Sequence, residues 1–274
     1  LIIHIDNRAG KESHTVNVDY QTAVFCPEEI SWLLKRLEYI LEQVVEDGDK
    51  TIGDVDILPE RERKMVTEEF NDTAVDYPGD KCVHELFEEQ AKRTPDRVAV
   101  TSSSCLLTYR QLNEEANCIA HSLIESDIQI GDIVAFALPH NSHMISTILA
   151  IMKVGAVYLP IDLAYPSERI DHILSDSNAK RFITEKDIKD LLTNSDKSNP
   201  HRIITGINAC YCIYTSGSTG KPKGVLISNN NLNHYLLHCK QTYGEKGINM
   251  PFFTSACVDL SVTSIFLPLL TAGT

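Results

Sequence analysis

Between residues 214 and 225 the chain reads YTSGSTGKPKGV, with Gly217, Gly220 and Gly224 set among Ser216, Ser218, Thr219, Lys221 and Lys223. Glycines let backbone N–H groups come close to a ligand and tolerate positive φ. Successive N–H groups in such turns form an anion-binding hollow. The hydroxyls add donors and the lysines add positive charge. The chemistry this combination suits is holding a polyphosphate, since hydrogen bonds to charged groups contribute about 1.5–3 kcal/mol each. The spacing is not that of the common P-loop, which needs four residues between Gly and Gly-Lys and then a hydroxyl residue. Here two residues separate Gly217 from Gly220, and Pro222 follows Lys221. That argues against a helix starting at Lys221, so phosphates would be gripped in another geometry. The bland alternative, a flexible Gly/Ser linker, fits poorly between the apolar runs CYCIYT and GVLIS.

The elements around this stretch must position it. Beyond a linker at residues 71–81, apolar runs and helical periods alternate: HELFEEQAKR reads as a helix, and RVAV and CLLT as strands. Thr108 with Gln111 makes a capping box for the helix through Leu112, Ile119 and Leu123. DIVAFAL is a strand, and Asn141 caps a helix that ends at Gly155. AVYLPID, RFIT, HRIIT and CYCIYT are expected strands, with a helix opening at Ser167. This alternation predicts an α/β domain with a largely parallel sheet and flanking helices. In such sheets ligands bind beyond the carboxyl ends of strands, which is where the Gly-Ser-Thr run follows CYCIYT. Before the linker, residues 1–6 and 15–25 read as strands, followed by an amphipathic helix carrying Ile30, Leu33, Leu34, Leu37, Leu41 and Val44.

Composition narrows the function. Hydrophobic residues make up 43% and charged residues 23% of 274, a globular balance, and the formal net charge is −13. An acidic surface repels phosphate backbones, so nucleic acid is not an expected partner. No apolar run is long enough for a membrane span, and the N-terminus lacks the basic and apolar segments of a signal peptide. Leu1 begins inside an apparent strand, which reads as a cut edge. The expected location is cytoplasmic. Eight cysteines are scattered without a Cys-x-x-Cys pair and are expected as reduced thiols. Cys210 and Cys212 would share one strand face. His84-Glu85 lacks the second histidine of a zinc-protease helix, and His234 with His238 lacks a third ligand, so no metal site is expected.

YTSGSTGKPKGV closely resembles the phosphate-binding core motif of the adenylate-forming superfamily. LTYRQLNEEAN (107–117) and MKVGAVYLPIDLAYPSERI (152–170) are similar to the first and second core motifs of its amino-acid-activating branch. CVDLSVTSIFLPLL (257–270) is similar to the fourth, with Val258 where the family usually has an aromatic residue. These motifs cover most of 82–274. Residues 1–70, including VDYQTAVF and the long helix, are similar to the α+β end of a condensation domain, though no His-His-x-x-x-Asp-Gly stretch is present. The chain therefore resembles a piece of a nonribosomal peptide synthetase spanning a condensation–adenylation junction, with the N-terminal part of the adenylation domain incomplete.

The resemblance implies an ATP-dependent amino acid adenylating ligase acting within a longer protein. ATP with Mg²⁺ would convert an amino acid to an aminoacyl adenylate, and the acyl group would pass to the phosphopantetheine thiol of a carrier domain. Carrier and condensation domains of the same synthetase would be its partners. Thr215, Ser216, Gly217, Ser218, Thr219, Gly220, Lys221 and Lys223 would bind the ATP phosphates. Asp259 would pair with the substrate ammonium, and Leu260 and Thr263 would line the side-chain pocket in a pattern similar to family pockets for asparagine or aspartate. The family's catalytic lysine falls outside this chain, so the chain alone is expected to be inactive. The bland reading of Asp259 is a helix cap. Two other readings stay open: an acyl- or aryl-CoA ligase of the same superfamily, and a non-catalytic remnant.

Overall fold

The computed structural model describes residues 1–6, 15–77, 81–102, 105–216 and 222–274. The chain divides into two compact units, Leu1–Asp76 and Tyr77–Thr274. The boundary falls within the segment 71–81.

In the first unit, β1 (Ile2–Asp6) pairs antiparallel with β2 (Thr15–Asp19). The expected strand over 15–25 is thus shorter. Past β2 the N–H groups of Val24 and Phe25 both go to the Gln21 carbonyl, closing a turn. Helix α1 (Pro27–Glu46) follows, with Pro27 in its first turn and Glu29 accepting the Cys26 N–H at 2.8 Å. The charged run ERERKMVT forms α2 (Glu60–Thr67). Arg36 of α1 grips the buried Glu62 of α2 through two nitrogens, and that hydrogen-bonded guanidinium holds the carboxyl below its ordinary range.

The second unit opens with α3 (Val83–Arg93) and the antiparallel hairpin of β3 (Val98–Thr101) and β4 (Leu106–Thr108). Helix α4 (Tyr109–Glu125) starts at the expected capping box: Gln111 N–H reaches Thr108 Oγ1 at 3.3 Å and Gln111 Oε1 accepts the Thr108 N–H at 2.9 Å. Strand β5 (Ile133–Ala137), helix α5 (Ser142–Val154), strand β6 (Val157–Pro160), helix α6 (Ser167–Asp176), strand β7 (Arg181–Thr184) and helix α7 (Glu185–Leu191) alternate as the periodicity predicts. Asn141 Oδ1 caps α5 through the Met144 N–H at 3.2 Å, and Gly155 ends it at φ +82°. Strands β8 (Ala209–Thr215) and β9 (Lys223–Ser228) complete a sheet of order β7-β5-β6-β8-β9. Among the described residues β5–β6, β5–β7 and β6–β8 are parallel, and only the β8–β9 hairpin is antiparallel. Helices α8 (Asn229–Tyr243) and α9 (Leu260–Leu270) follow.

Two expectations are corrected here. HRIIT is not a strand: Thr205 N–H bonds Asn208 Oδ1 at 2.8 Å and the Thr205 carbonyl accepts the Asn208 N–H at 3.1 Å, a local turn that uses both backbone groups of Thr205. Cys210 and Cys212 do not share a face. The β8–β9 register slips between Ala209 and Tyr211, making Cys210 the extra residue of a bulge. Cys210 consequently joins the large core with Tyr211 and Ile213, whereas Cys212 and Tyr214 join the smaller core that includes Ile173 of α6.

The larger core lies under α3, α4, α5, α8 and α9. Helix α5 is buried on nearly every side, so it behaves as the spine of the unit. The fully buried Lys153 near its end is neutralised by Glu88 of α3 and also donates to Asn199 Oδ1 at 3.2 Å.

Candidate functional site

Strand β8 runs parallel to β6, so its last residue, Thr215, lies at the carboxyl edge of the parallel strands. There it pairs with Lys223, the first residue of β9. Thr215, Ser216 and Lys223 are exposed, so a hydroxyl pair and an ammonium stand together at the base of the 216–222 connection. Gly217, Ser218, Thr219, Gly220 and Lys221 lie outside the described residues.

The base of this connection is fixed by packing. Tyr214 pairs with Gly224, where any Cβ would lie 2.9 Å from Cys212 Sγ and 2.9 Å from Tyr214 Cε2. Only glycine lets these side chains pass under β9. The Tyr214 hydroxyl donates to Asp176 Oδ2 of α6 at 2.7 Å. Burial, and then that carboxylate, push the phenol well above its ordinary range, so it stays a donor.

Helix α9 begins at Asp259. Its backbone is already helical, at φ −60° and ψ −28°, so the side chain makes no cap hydrogen bond. The first turn is closed instead by Ser261 N–H to the Val258 carbonyl and Val262 N–H to the Asp259 carbonyl, at 3.1 and 3.0 Å. The exposed carboxylate has no hydrogen-bond or ion-pair partner among the described residues. Its charge reaches Tyr211 of β8, whose phenol is pushed up to about 12 by burial first, then by Cys210 and by Asp259. One turn along α9, the nearly buried Thr263 is hydrogen-bonded to Tyr235 of α8 at 2.6 Å. Leu260 is exposed beside Asp259.

A second tie connects the elements. Asp162, just past β6, accepts the Ser255 hydroxyl at 2.9 Å. The Ala164 N–H and then this hydroxyl hold its carboxyl below the ordinary range. It therefore joins the segment leading into α9 to the carboxyl edge of β6. A mostly apolar cleft of about 390 Å³ near His140, Phe252 and Leu269 contains none of the expected site residues. No cluster of three or more His, Cys, Asp or Glu side chains able to hold a metal occurs among the described residues. His234 and His238 are both exposed, and His234 stacks on Tyr77 at 4.7 Å. The described residues include no helix long and apolar enough to cross a membrane.

The fold has counterparts among known proteins. The family described as AMP-binding enzyme matches residues 87–274. The chain belongs to the AMP-binding enzyme family. Among its relatives are a mycosubtilin synthase polypeptide of Bacillus subtilis, 38% identical over 93% of this chain and 10% of that protein, and bacitracin synthase 3 of Bacillus licheniformis, 37% identical over 96% of this chain and 4% of that protein. The chain thus spans a tenth or less of the length of these two synthetases. The nonribosomal peptide synthetase FmoA3 shares the fold, with a TM-score of 0.75 and 24% identity over 91% of this chain and 28% of that one. The N-terminal subdomain of Klebsiella oxytoca NpsA, solved in complex with 3-hydroxyanthranilyl-AMSN, has a TM-score of 0.64 and 29% identity over 70% of this chain and 52% of that one. The resemblance to nonribosomal peptide synthetases holds in both sequence and fold.

Within this AMP-binding fold, Asp259, Leu260 and Thr263 come together at the first turn of α9, and Thr215, Ser216 and Lys223 come together at the hairpin base. The sequence reading missed Tyr211, Tyr235, Tyr214 and Asp176. Tyr214 sat inside the quoted motif and could have been found as the strand residue before the loop. Tyr235 carries no motif signal, because its contact with Thr263, 28 residues away in sequence, joins two different helices.

Proposed function

We propose that this chain supplies part of an ATP-dependent amino acid adenylating ligase, within a nonribosomal peptide synthetase. The observation that carries the reading is the exposed Asp259 carboxylate at the start of α9, unpartnered among the described residues and acting on Tyr211 of β8, the strand that leads into the Gly-Ser-Thr-Lys stretch. A carboxylate left open beside a neutral phenol suits a substrate ammonium. Hydroxyls and lysines at the strand end suit phosphates.

In this reading the amino acid carboxylate oxygen attacks the α-phosphorus of ATP. The bond to the β-phosphate bridging oxygen breaks, and pyrophosphate leaves as the aminoacyl adenylate forms. Thr215, Ser216 and Lys223, with Gly217, Ser218, Thr219, Gly220 and Lys221, hold and neutralise the departing phosphates. The exposed hydroxyls and ammonium at the hairpin base fit an anionic group. Mg²⁺ is taken as the counter-ion of ATP, sharing the phosphate charge, with no described residue assigned as its ligand. Asp259 orients the substrate through its ammonium, and Leu260 and Thr263 face its side chain, asparagine or aspartate. The acyl group then passes to the phosphopantetheine thiol of a carrier domain, with AMP as leaving group. We assign residues 1–70 to the end of a condensation domain, 71–81 to a linker and 82–274 to the adenylation domain, all working in the cytoplasm. The 96% of this chain matched by bacitracin synthase 3 supports one architecture across that junction.

The NpsA complex with an aryl ligand keeps a second reading in view, an aryl or acyl ligase. Asp259 weighs against it, because an acid without an amine has no use for that carboxylate. The test is ATP–pyrophosphate exchange by the full-length protein that carries this chain. Exchange dependent on an α-amino acid is expected. Exchange driven only by aryl or fatty acids would replace the amino acid reading.

A further inference from the structure

Arg169, in the first turn of α6, is a half-buried guanidinium to which the fold gives no anion. Its side chain has no hydrogen bond or ion pair among the described residues, and its Nε is closed off from solvent without a partner. We infer that Arg169 binds a phosphate group at the carboxyl edge of the sheet, on the β6 side of the Thr215–Lys223 hairpin base. The inference deepens the adenylation reading and rests on it for the source of that phosphate, ATP or the phosphopantetheine of a carrier domain.

Strand register places the residue. Tyr158 of β6 pairs in parallel with Tyr211 of β8, so Asp162 and Thr215, each four residues further on, reach about the same level. Neighbouring strands are about 5 Å apart. Asp162 is fixed there by the Ala164 N–H and the Ser255 hydroxyl, both at 2.9 Å. The chain then turns through Tyr165 into α6. That turn brings Arg169 back within electrostatic reach of Asp162 and of Cys257, two residues before Asp259.

The guanidinium is held in place but not used by the fold. Its Cζ lies 3.9 Å from the centre of the Tyr165 ring. Stacking of this kind fixes the plane of the fork, and a fixed fork matches two phosphate oxygens at once. Asp162 does not consume it. That carboxylate is taken first by Ala164 and Ser255, and Arg169 acts on it least of the groups that lower it. A buried N–H without an acceptor costs free energy, so the pose over Tyr165 is kept against a loss at Nε. The terminal nitrogens are not closed off and have no acceptor among the described residues.

The chemistry of the proposed reaction selects among anions. Three are brought to this edge: the amino acid carboxylate, the phosphates of ATP and the phosphate of the phosphopantetheine arm. A fork closed on the amino acid carboxylate would hold back the oxygens that must attack phosphorus. A phosphate is not the nucleophile in either half of the reaction, so binding it tightly carries no such penalty. Lys223 stands on the hairpin side of the edge and Arg169 on the β6 side, which gives the edge cations from two elements.

The experiment compares Arg169→Met and Arg169→Lys with the parent, in the full-length protein carrying this chain. Met keeps the apolar stem over Tyr165 and removes the charge, whereas Lys keeps the charge and loses the fork. Amino-acid-dependent ATP–pyrophosphate exchange reads the first source. Transfer of the acyl group to added phosphopantetheine, against pantetheine, reads the second. If the phosphate is that of ATP, Arg169→Met should raise KM for ATP and for pyrophosphate roughly tenfold. If it is that of the arm, the variant should lose the parent's preference for phosphopantetheine over pantetheine. In both cases Arg169→Lys should lie between, and KM for the amino acid should stay within about twofold, reporting an intact site. Unchanged ATP, pyrophosphate and acceptor behaviour in Arg169→Met overturns the inference. A rise in KM for the amino acid alone overturns it too, because the guanidinium would then meet the substrate carboxylate. Equal losses in every KM, with Arg169→Lys no better than Arg169→Met, overturn it in favour of a structural part. A parent without amino-acid-dependent exchange overturns instead the adenylation reading. Calorimetric titration with inorganic pyrophosphate then decides on Arg169: weaker binding by Arg169→Met supports the inference, and equal binding overturns it.

Discussion

Glu88 and Asp259 are both carboxylates at helices of the same unit, and they are used in opposite ways. Glu88 is mostly covered and neutralises Lys153, the fully buried cation of α5. Asp259 is exposed at the start of α9, has a backbone geometry that withholds it from capping, and meets no cation among the described residues. One charge is committed to the fold and the other is left open. The difference teaches where to look for binding: not at a strongly perturbed buried group, but at the charged group that the fold declines to use. Lys153 is pulled down to about 8 by burial, against the opposing pull of Glu88, yet every neighbour it has is structural.

The comparison breaks first at Glu88. Glu88→Gln leaves the Lys153 ammonium buried without its anion, and removing one partner of a buried pair costs about 3–5 kcal/mol. Urea unfolding of the 274-residue chain should show that loss in its midpoint. The double variant Glu88→Gln, Lys153→Met should recover much of it, because no charge remains buried. A Glu88→Gln chain as stable as the parent would mean that the pair is solvated and the contrast false.

Asp259→Asn is expected to invert the pattern. Its stability should change by less than about 1 kcal/mol, the scale of a carboxylate at a helix N-terminus. Amino acid activation in the full-length protein should fall by the value of a charged hydrogen bond, about 1.5–3 kcal/mol or roughly 10- to 150-fold. A destabilised protein with normal activation would return Asp259 to a purely structural part.

The same contrast explains what the sequence could reveal. Elements with a local cause were legible: the Thr108–Gln111 box, the Asn141 cap and the Gly155 stop each depend on residues close in sequence. The Gly-Ser-Thr-Lys run stood out because its glycines and hydroxyls have few other uses, though residues 217–221 lie outside the described residues and the phosphate role is a proposal. The failures came from two causes, local turns that carry no strong sequence mark and decisions that are tertiary. Val24 and Phe25 look like strand residues, but their N–H groups close a turn onto the Gln21 carbonyl. HRIIT looks like a strand until the Asn208 side chain claims Thr205. The bulge that separates Cys210 from Cys212 is set by pairing with β9, and the Tyr235–Thr263 contact by the packing of α8 on α9.

The two halves of the proposed site can be separated next. Lys221→Ala and Lys223→Ala should slow adenylation through weaker phosphate contacts, raising the ATP requirement by roughly tenfold. The KM for the amino acid should stay near the parent value, because Asp259 is untouched. Loss of amino acid binding at unchanged ATP dependence would detach the loop from phosphate recognition.

The smallest effect expected is at Tyr214, and it tests whether the hairpin base is a positioning device. The phenol donates to Asp176 at 2.7 Å, and Gly224 leaves room for its ring under β9. Tyr214→Phe keeps the ring and removes only the hydrogen bond. Asp176 is exposed, so water can replace the lost donor, and the stability cost should stay near about 0.5–1.5 kcal/mol. The kinetic consequence should nevertheless fall on one side of the site. Tyr214 is followed directly by Thr215, which pairs with Lys223, so freeing the ring loosens the residues that flank the loop. KM for ATP should rise by roughly threefold while KM for the amino acid holds, since neither Tyr211 nor Asp259 depends on the Tyr214 hydroxyl. Trypsin should also cut faster after Lys223 in the variant, a readout of the hairpin that needs no activity. Asp176→Asn, which keeps an acceptor for the phenol, should lie between the parent and Tyr214→Phe. Equal changes in both KM values would mean that the bond steadies the whole sheet edge rather than the base of the loop.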